Sequence, residues 1–134
     1  MTELHLTGTF LEADKPNANG RVYPRAVLED IARQIKEKDG RVFGQVGFPE
    51  GTSVDLSKVS HIVGDVHVNE QGELIGKIIP LKTPAGEILT SLLEDFKKNK
   101  VNYGFRPAGI GKVDENGVVS DYRLISIDLV QNPA

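Results

Sequence analysis

The feature that most limits the possible folds is a two-residue repeat of apolar side chains over much of the chain. Val59–Val68 and Leu74–Leu81 are β-rich runs joined by Asn69–Gly72, and Val118–Val130 is a longer β-branched run. Because side chains alternate between the two faces of a strand, such runs indicate strands with one buried face. Asn69–Gly72 is a plausible hairpin connection. Another strand is predicted to begin near Leu4–Thr7.

Two segments have a helical period instead. Arg25 to Lys38 follows Pro24, which suits a first helical turn, and stops before Gly40, which suits a helix end. Ala85 to Lys98 follows Thr83-Pro84 and places lysines in its last turn, where the helix dipole favours cations. We therefore predict an α+β fold, a mostly antiparallel β-barrel of about six strands with two helices.

Composition narrows the possible functions. A chain of 134 residues without repeats or linkers predicts a single domain, 1–134. The net charge of −3 and the lack of a basic face argue against a nucleic-acid partner. The absence of cysteine excludes disulfides and thiolate chemistry. No apolar run approaches the ~20 residues that cross a bilayer, and no signal peptide is recognisable, so we expect no membrane partner.

The polar residues taken alone do not predict an active site. On a strand, His61, Asp65 and His67 share one face, but His61 lies ~13 Å from Asp65, which is too far for one strand to hold a metal. An outward polar face is predicted, with no metal and no cofactor. Ser60 adjoins His61, but neighbouring strand residues point to opposite faces, so the two are not predicted to form a nucleophile–base pair. A triad assembled from distant segments stays open.

A glycine-rich segment, 104–111, does not fit a phosphate-binding loop. It lacks a following Lys-Ser/Thr and does not lead into a helix. Its glycines are expected to allow positive φ angles or close backbone approach, and Pro107 argues against a regular central strand.

Several stretches, in the same order along the chain, resemble the prohead core proteases of T-even phages. The similarity extends over nearly the whole chain, from about residue 5 to 134. The stretches are Asn17–Pro24, Gly44–Glu50, Asp55–Ile62, Leu81–Gly86, Gly109–Gly111, Tyr122–Leu124 and Ile127–Pro133.

The resemblance implies a serine protease with a herpesvirus-protease-like fold that trims scaffold and capsid proteins inside a prohead. In the family, the nucleophile lies in a Gly-Val-Ser-Ser-Arg-Gly stretch, where this chain has Arg106 and Pro107 in place of both serines. The histidine of the family's Gly-His-Pro segment is replaced by Phe48, whereas a second family histidine is retained as His61. Acyl transfer requires a nucleophile activated by a base, so we predict that the chain is not an enzyme.

The resulting hypothesis is a non-catalytic structural protein of the virion that decorates or cements the capsid shell. The resemblance implies the major capsid protein as partner, self-association on the capsid, and a location in the virion after synthesis in the host cytoplasm. Two alternatives stay open. One is a component of the prohead scaffold core, and the other is a capsid maturation serine protease that is still active through a displaced triad.

Two expectations concern the altered positions. Phe48 should be buried, filling the hollow of a former cleft. Arg106 should either pair with Asp65 or Asp128, or point outward and form an interface with Tyr103 and Phe105.

Overall fold

The computed structural model describes residues 6–131 and contains the predicted mixture of strands and helices. The helices α1 and α2 fall where the helical period predicted them, and the α+β class is confirmed. The elements in chain order are β1 (Leu6–Glu12), α1 (Arg25–Glu37), β2 (Arg41–Gln45), a 3-10 turn (Leu56–Lys58), β3 (Val59–Val68), β4 (Glu73–Pro80), α2 (Pro84–Asn99), β5 (Tyr103–Val113) and β6 (Val119–Gln131).

The strands form two antiparallel sheets rather than one closed barrel, so the predicted barrel is wrong in this respect. The larger sheet has the order β1-β4-β3-β2, and β5 pairs with β6 in a separate hairpin. The sheets meet where β2 ends, through a parallel bridge between Val46 and Leu129 and a 2.7 Å hydrogen bond from Gly47 N to Leu129 O. Beyond this junction β2 and β6 pack against each other, but no continuous ladder joins them.

The core lies between these sheets and α1. Helix α1 buries one stripe, Leu28, Ile31 and Ile35, against β3 and β6. Helix α2 begins as predicted, with the Thr83 hydroxyl accepting a 3.1 Å hydrogen bond from Gly86 N. The buried side chains of both sheets and both helices form one apolar cluster.

Strand β5 continues through Pro107 but is not a central strand, so the sequence argument against a regular central strand there is not contradicted. Pro107 is in register with Ile127 of β6, and the pairing shifts between Ala108 and Gly109. A proline is compatible with this position because β5 is hydrogen-bonded to a strand on one side only, so the missing N–H interrupts no second ladder.

A glutamine side chain takes the place of a neighbouring strand along part of β6. The Gln34 amide on α1 donates to Tyr122 O at 2.7 Å and accepts from Leu124 N at 2.9 Å. The same amide donates to Asp30 Oδ2 at 2.9 Å. Gln34 thus satisfies two backbone groups of β6 and fixes α1 against the hairpin.

We predict that Gln34→Ala lowers the free energy of unfolding by about 2 kcal/mol, because two partly buried backbone groups lose their partner. Arg33→Ala is the matched control on the same helix. It removes exposed ion pairs and should cost under about 0.5 kcal/mol. Urea unfolding of both variants measures the difference, and equal losses would contradict the role assigned to Gln34.

Candidate functional site

Three of the four positions that the family resemblance singled out, Phe48, Arg106 and Pro107, lie together on one surface cleft, whereas the fourth, His61, is buried. Phe48 follows β2 after Gly47, whose φ of 81° turns the chain, while Arg106 and Pro107 lie on β5. Phe48 and Pro107 line two cavities of about 470 and 340 Å³ that also share Arg21 and Tyr23. Arg106 lines the smaller of the two. Residues far apart in sequence thus converge where the resemblance predicted one site.

Phe48 is 54% exposed, so the prediction that it is buried is wrong. Its ring lies on the wall of an open cleft outside the core. The phenyl ring at this position therefore does not close the cleft. The apolar surface stays available to solvent or to a partner.

Arg106 is half-buried, and its Nη1 donates to Thr9 O at 3.1 Å and to Phe105 O at 2.9 Å. The carboxylates predicted as partners have other contacts. Asp65 pairs with Lys77 at 3.3 Å, and Asp128 accepts hydrogen bonds inside the core. Burial lowers the pKa of the Arg106 guanidinium, and the charge of Glu12 opposes this shift.

The predicted interface of Tyr103, Phe105 and Arg106 requires a correction. Phe105 is buried in the core, where its ring meets the His61 ring edge-on at 5.2 Å between centroids. Tyr103 is half-buried and packs on Phe96 at 5.7 Å. Phe105 points inward because β5 alternates its faces, and this face covers His61. Phe105 is therefore not available to a partner.

His61 also points inward, whereas the sequence predicted an outward polar face with Asp65 and His67. The pairing of β3 with β4 shifts between Gly64 and His67, and Asp65 has a φ of 51°. This irregularity breaks the two-residue period, so His61 is buried while Asp65 and His67 are exposed.

Both ring nitrogens of His61 have partners. Nε2 lies 2.8 Å from Ile127 O and Nδ1 lies 2.8 Å from the Ser60 hydroxyl. A carbonyl can only accept, so Nε2 donates to Ile127 and Nδ1 accepts from Ser60. The expectation that Ser60 and His61 point to opposite faces does not prevent this hydrogen bond, because alternation fixes the Cβ directions but not the reach of the side-chain ends. Burial lowers the pKa of His61 to about 4, against the opposing effect of the Ile127 hydrogen bond.

This serine–histidine pair has the hydrogen bond of a nucleophile and its base, but neither residue is accessible. Ser60 and His61 are both fully buried. Gly44 of β2 passes so closely that a Cβ there would lie 1.9 Å from Ile127 O and 2.1 Å from His61 Nε2. The pair therefore links β3 to β6 in the interior, with β2 packed closely against it.

Asp128 was considered in the sequence only as a partner of Arg106, yet it organises the junction of the two sheets. Its carboxylate accepts from Gln45 N at 3.0 Å and from the Ser126 hydroxyl at 2.8 Å, and it is fully buried. Burial raises its pKa to about 6, although both hydrogen bonds act to lower it. Asp128 is one of two acidic residues in the β-branched run Val118–Val130, and nothing in the sequence signalled this role.

Two further properties concern the described part of the chain. Residues 6–131 contain no group of three or more His, Asp or Glu side chains placed to hold a metal ion. In the same range, no helix has the length and apolar character needed to cross a membrane.

The fold of this chain is shared by a phage protease of known structure. A solved structure, "Structure of the bacteriophage T4 capsid assembly protease, gp21", matches with a TM-score of 0.80 and 23% sequence identity. The match covers 97% of this chain and 82% of that one, so the two share a fold. A comparison with curated proteins found no match.

The family follows from the sequence itself. The model of the family described as "Prohead core protein serine protease" matches residues 1–133. The chain belongs to this family, and the resemblance identified in the sequence is confirmed.

We predict that the two buried ionisable groups give pH effects of opposite sign. The folded state binds fewer protons at His61 between pH 4 and 6.5, so this group lowers stability as the pH falls. It binds more protons at Asp128 between pH 3.8 and 6, so this group lowers stability as the pH rises. Across each pH window the free energy of unfolding changes by about 3 kcal/mol, since one pKa unit corresponds to about 1.4 kcal/mol.

The measurement is urea unfolding from pH 4 to 7, expressed as the difference from wild type at each pH. Asp128→Asn should gain stability relative to wild type as the pH rises to 6, whereas His61→Gln should gain as the pH falls from 6.5. If either difference were independent of pH, the corresponding group would not titrate as described.

Proposed function

We propose that this chain is a non-catalytic member of its family that serves as a structural protein of the phage capsid, decorating or cementing the shell. The observation that carries the proposal is the content of the cleft. Its family-derived positions are Phe48, Arg106 and Pro107, and none of these side chains can attack a peptide carbonyl or remove a proton from a nucleophile at neutral pH.

The other serines support this interpretation. The one serine–histidine hydrogen bond within residues 6–131 joins Ser60 and His61, and it lies in the interior. Ser126 is also buried and is bonded to Asp128. A displaced triad would need an accessible serine, a histidine base and a carboxylate together. Ser57 is exposed and donates to Asp55 Oδ1 at 2.7 Å, but within residues 6–131 no histidine is hydrogen-bonded to either residue.

The altered cleft has the composition of a contact surface. Phe48, Ile110 and Val113 are 54%, 53% and 48% exposed around the same cavity, next to Arg21. Exposed apolar clusters on small proteins often mark interaction sites, and aromatic and arginine residues contribute strongly to binding. We assign the major capsid protein as the partner, with the chain located in the virion after synthesis in the host cytoplasm.

The absence of catalysis can be tested directly. Purified protein should show neither labelling by serine-directed fluorophosphonates nor cleavage of the phage's own scaffold and capsid proteins. Covalent labelling of any serine that is abolished by His61→Gln would contradict the proposal. Mass spectrometry of mature virions distinguishes a shell protein from a scaffold-core component. A shell protein is retained in many copies, whereas a scaffold-core component is nearly absent.

We predict that Phe48→Ser weakens binding to undecorated capsids by about tenfold or more, because the exposed ring loses its apolar contact. The free energy of unfolding should change by less than about 1 kcal/mol, since the ring is half exposed. Ile88→Ser, on the exposed face of α2 and outside the cleft, is the control and should bind like wild type. Wild-type capsid occupancy by the Phe48 variant would remove the cleft from the interface.

A further inference from the structure

A second apolar surface lies on the outer face of the larger sheet. Phe43 of β2, Ile62 of β3 and Ile79 of β4 are aligned by the strand register into one row. Val42, Val63 and Ile78, their neighbours on the strands, face the core. Phe43 is 44% exposed, and Ile62 and Ile79 are half-buried. An antiparallel sheet face in contact with water is usually polar, so this row is unusual.

The row continues into a recess between the two sheets. A cavity of about 650 Å³ opens beside β2 and β6, and its apolar lining is Val42, Phe43, Val54, Ile62 and Ile125. We call the row and this cavity together the Phe43 surface. On this surface the partly exposed Phe43 ring lies beside the cavity.

Charged residues of both signs border this recess. Lys38, Asp39 and Arg41 line the cavity, and all three are exposed. None of them makes an ion pair with another residue of the 6–131 range. By contrast, charged side chains elsewhere on α1, such as Arg33, have acidic partners nearby.

We propose that the Phe43 surface binds a second copy of this chain in a two-fold symmetric dimer. In such a pair the same patch meets itself, so it must contain both members of each contact. The Phe43 ring of one copy can enter the cavity of the other. Asp39 of one copy can then meet Lys38 or Arg41 of the other. Binding an unrelated partner would not require one patch to contain both signs of charge together with both an exposed ring and a cavity.

The first test is sedimentation equilibrium of the purified chain. The wild type should dimerise with a Kd on the order of 10 µM, and Phe43→Ser should weaken this by about tenfold or more. Ile88→Ser is the control, because it removes an exposed apolar side chain on α2 that lines neither the Phe43 surface nor the Phe48 cleft. Thermal unfolding of each variant verifies that the fold is retained.

The second test uses charge exchange. Asp39→Lys leaves only cations at the border, and Lys38→Glu with Arg41→Glu leaves only anions. Each variant alone should dimerise about tenfold more weakly, and an equimolar mixture should form the mixed dimer with an affinity close to wild type. Asp39 has a φ of 61°, so the stability of its variant is measured first.

Two results would overturn the proposal. One is a wild-type chain that stays monomeric up to about 500 µM, even if Phe43→Ser lowered capsid binding, because the occupant would then be a capsid subunit. The other is a dimer that Phe43→Ser and the charge variants leave intact. Neither measurement uses capsids or a protease substrate, so the outcome is independent of the proposed function.

Discussion

The structure depends on a small buried polar network at the junction of its two sheets. His61 of β3 donates to the Ile127 carbonyl of β6, and the Asp128 carboxylate accepts from the backbone of Gln45 at the end of β2. These bonds take the place of the continuous strand ladder that would close a barrel. Because each group is buried, leaving one without a hydrogen-bond partner would cost far more free energy than one hydrogen bond contributes. The network therefore specifies one arrangement of the strands. The absence of a Cβ at Gly44 allows β2 to approach closely enough to complete it.

The same junction determines where the cleft lies. The chain leaves β2 along β6, turns at Gly47 and presents Phe48 opposite Pro107. This turn brings a phenyl ring close to a proline and a half-buried arginine, next to other exposed apolar side chains. The proposed role of the cleft as a contact surface rests on this composition.

Polar groups in the interior are hydrogen-bonded, whereas two parts of the surface expose apolar groups. Inside, Ser60, His61, Ser126 and Asp128 all have hydrogen-bond partners, and burial shifts the pKa of the two ionisable ones in the directions that favour their neutral forms. On the surface, the Phe43 row and the Phe48 cleft expose apolar groups on two separate sides of the molecule. A capsid component that binds both a shell subunit and its own copy would need two such surfaces.

The sequence by itself determined the elements and the family. The helical stripe after Pro24 and the β-branched runs predicted α1, β3, β4 and β6 because periodicity depends only on local burial, and the ordered motifs identified the prohead protease relationship. It also predicted Phe48, Arg106 and Pro107 as altered positions of the family, and these three residues line one cavity. Only the tertiary structure decided that the barrel is open, that Phe48 is exposed and that His61 and Phe105 face inward. These outcomes depend on a register shift in β3, on the lack of a continuous ladder between β2 and β6 and on side chains from distant segments, and no local pattern of residues encodes such long-range pairings.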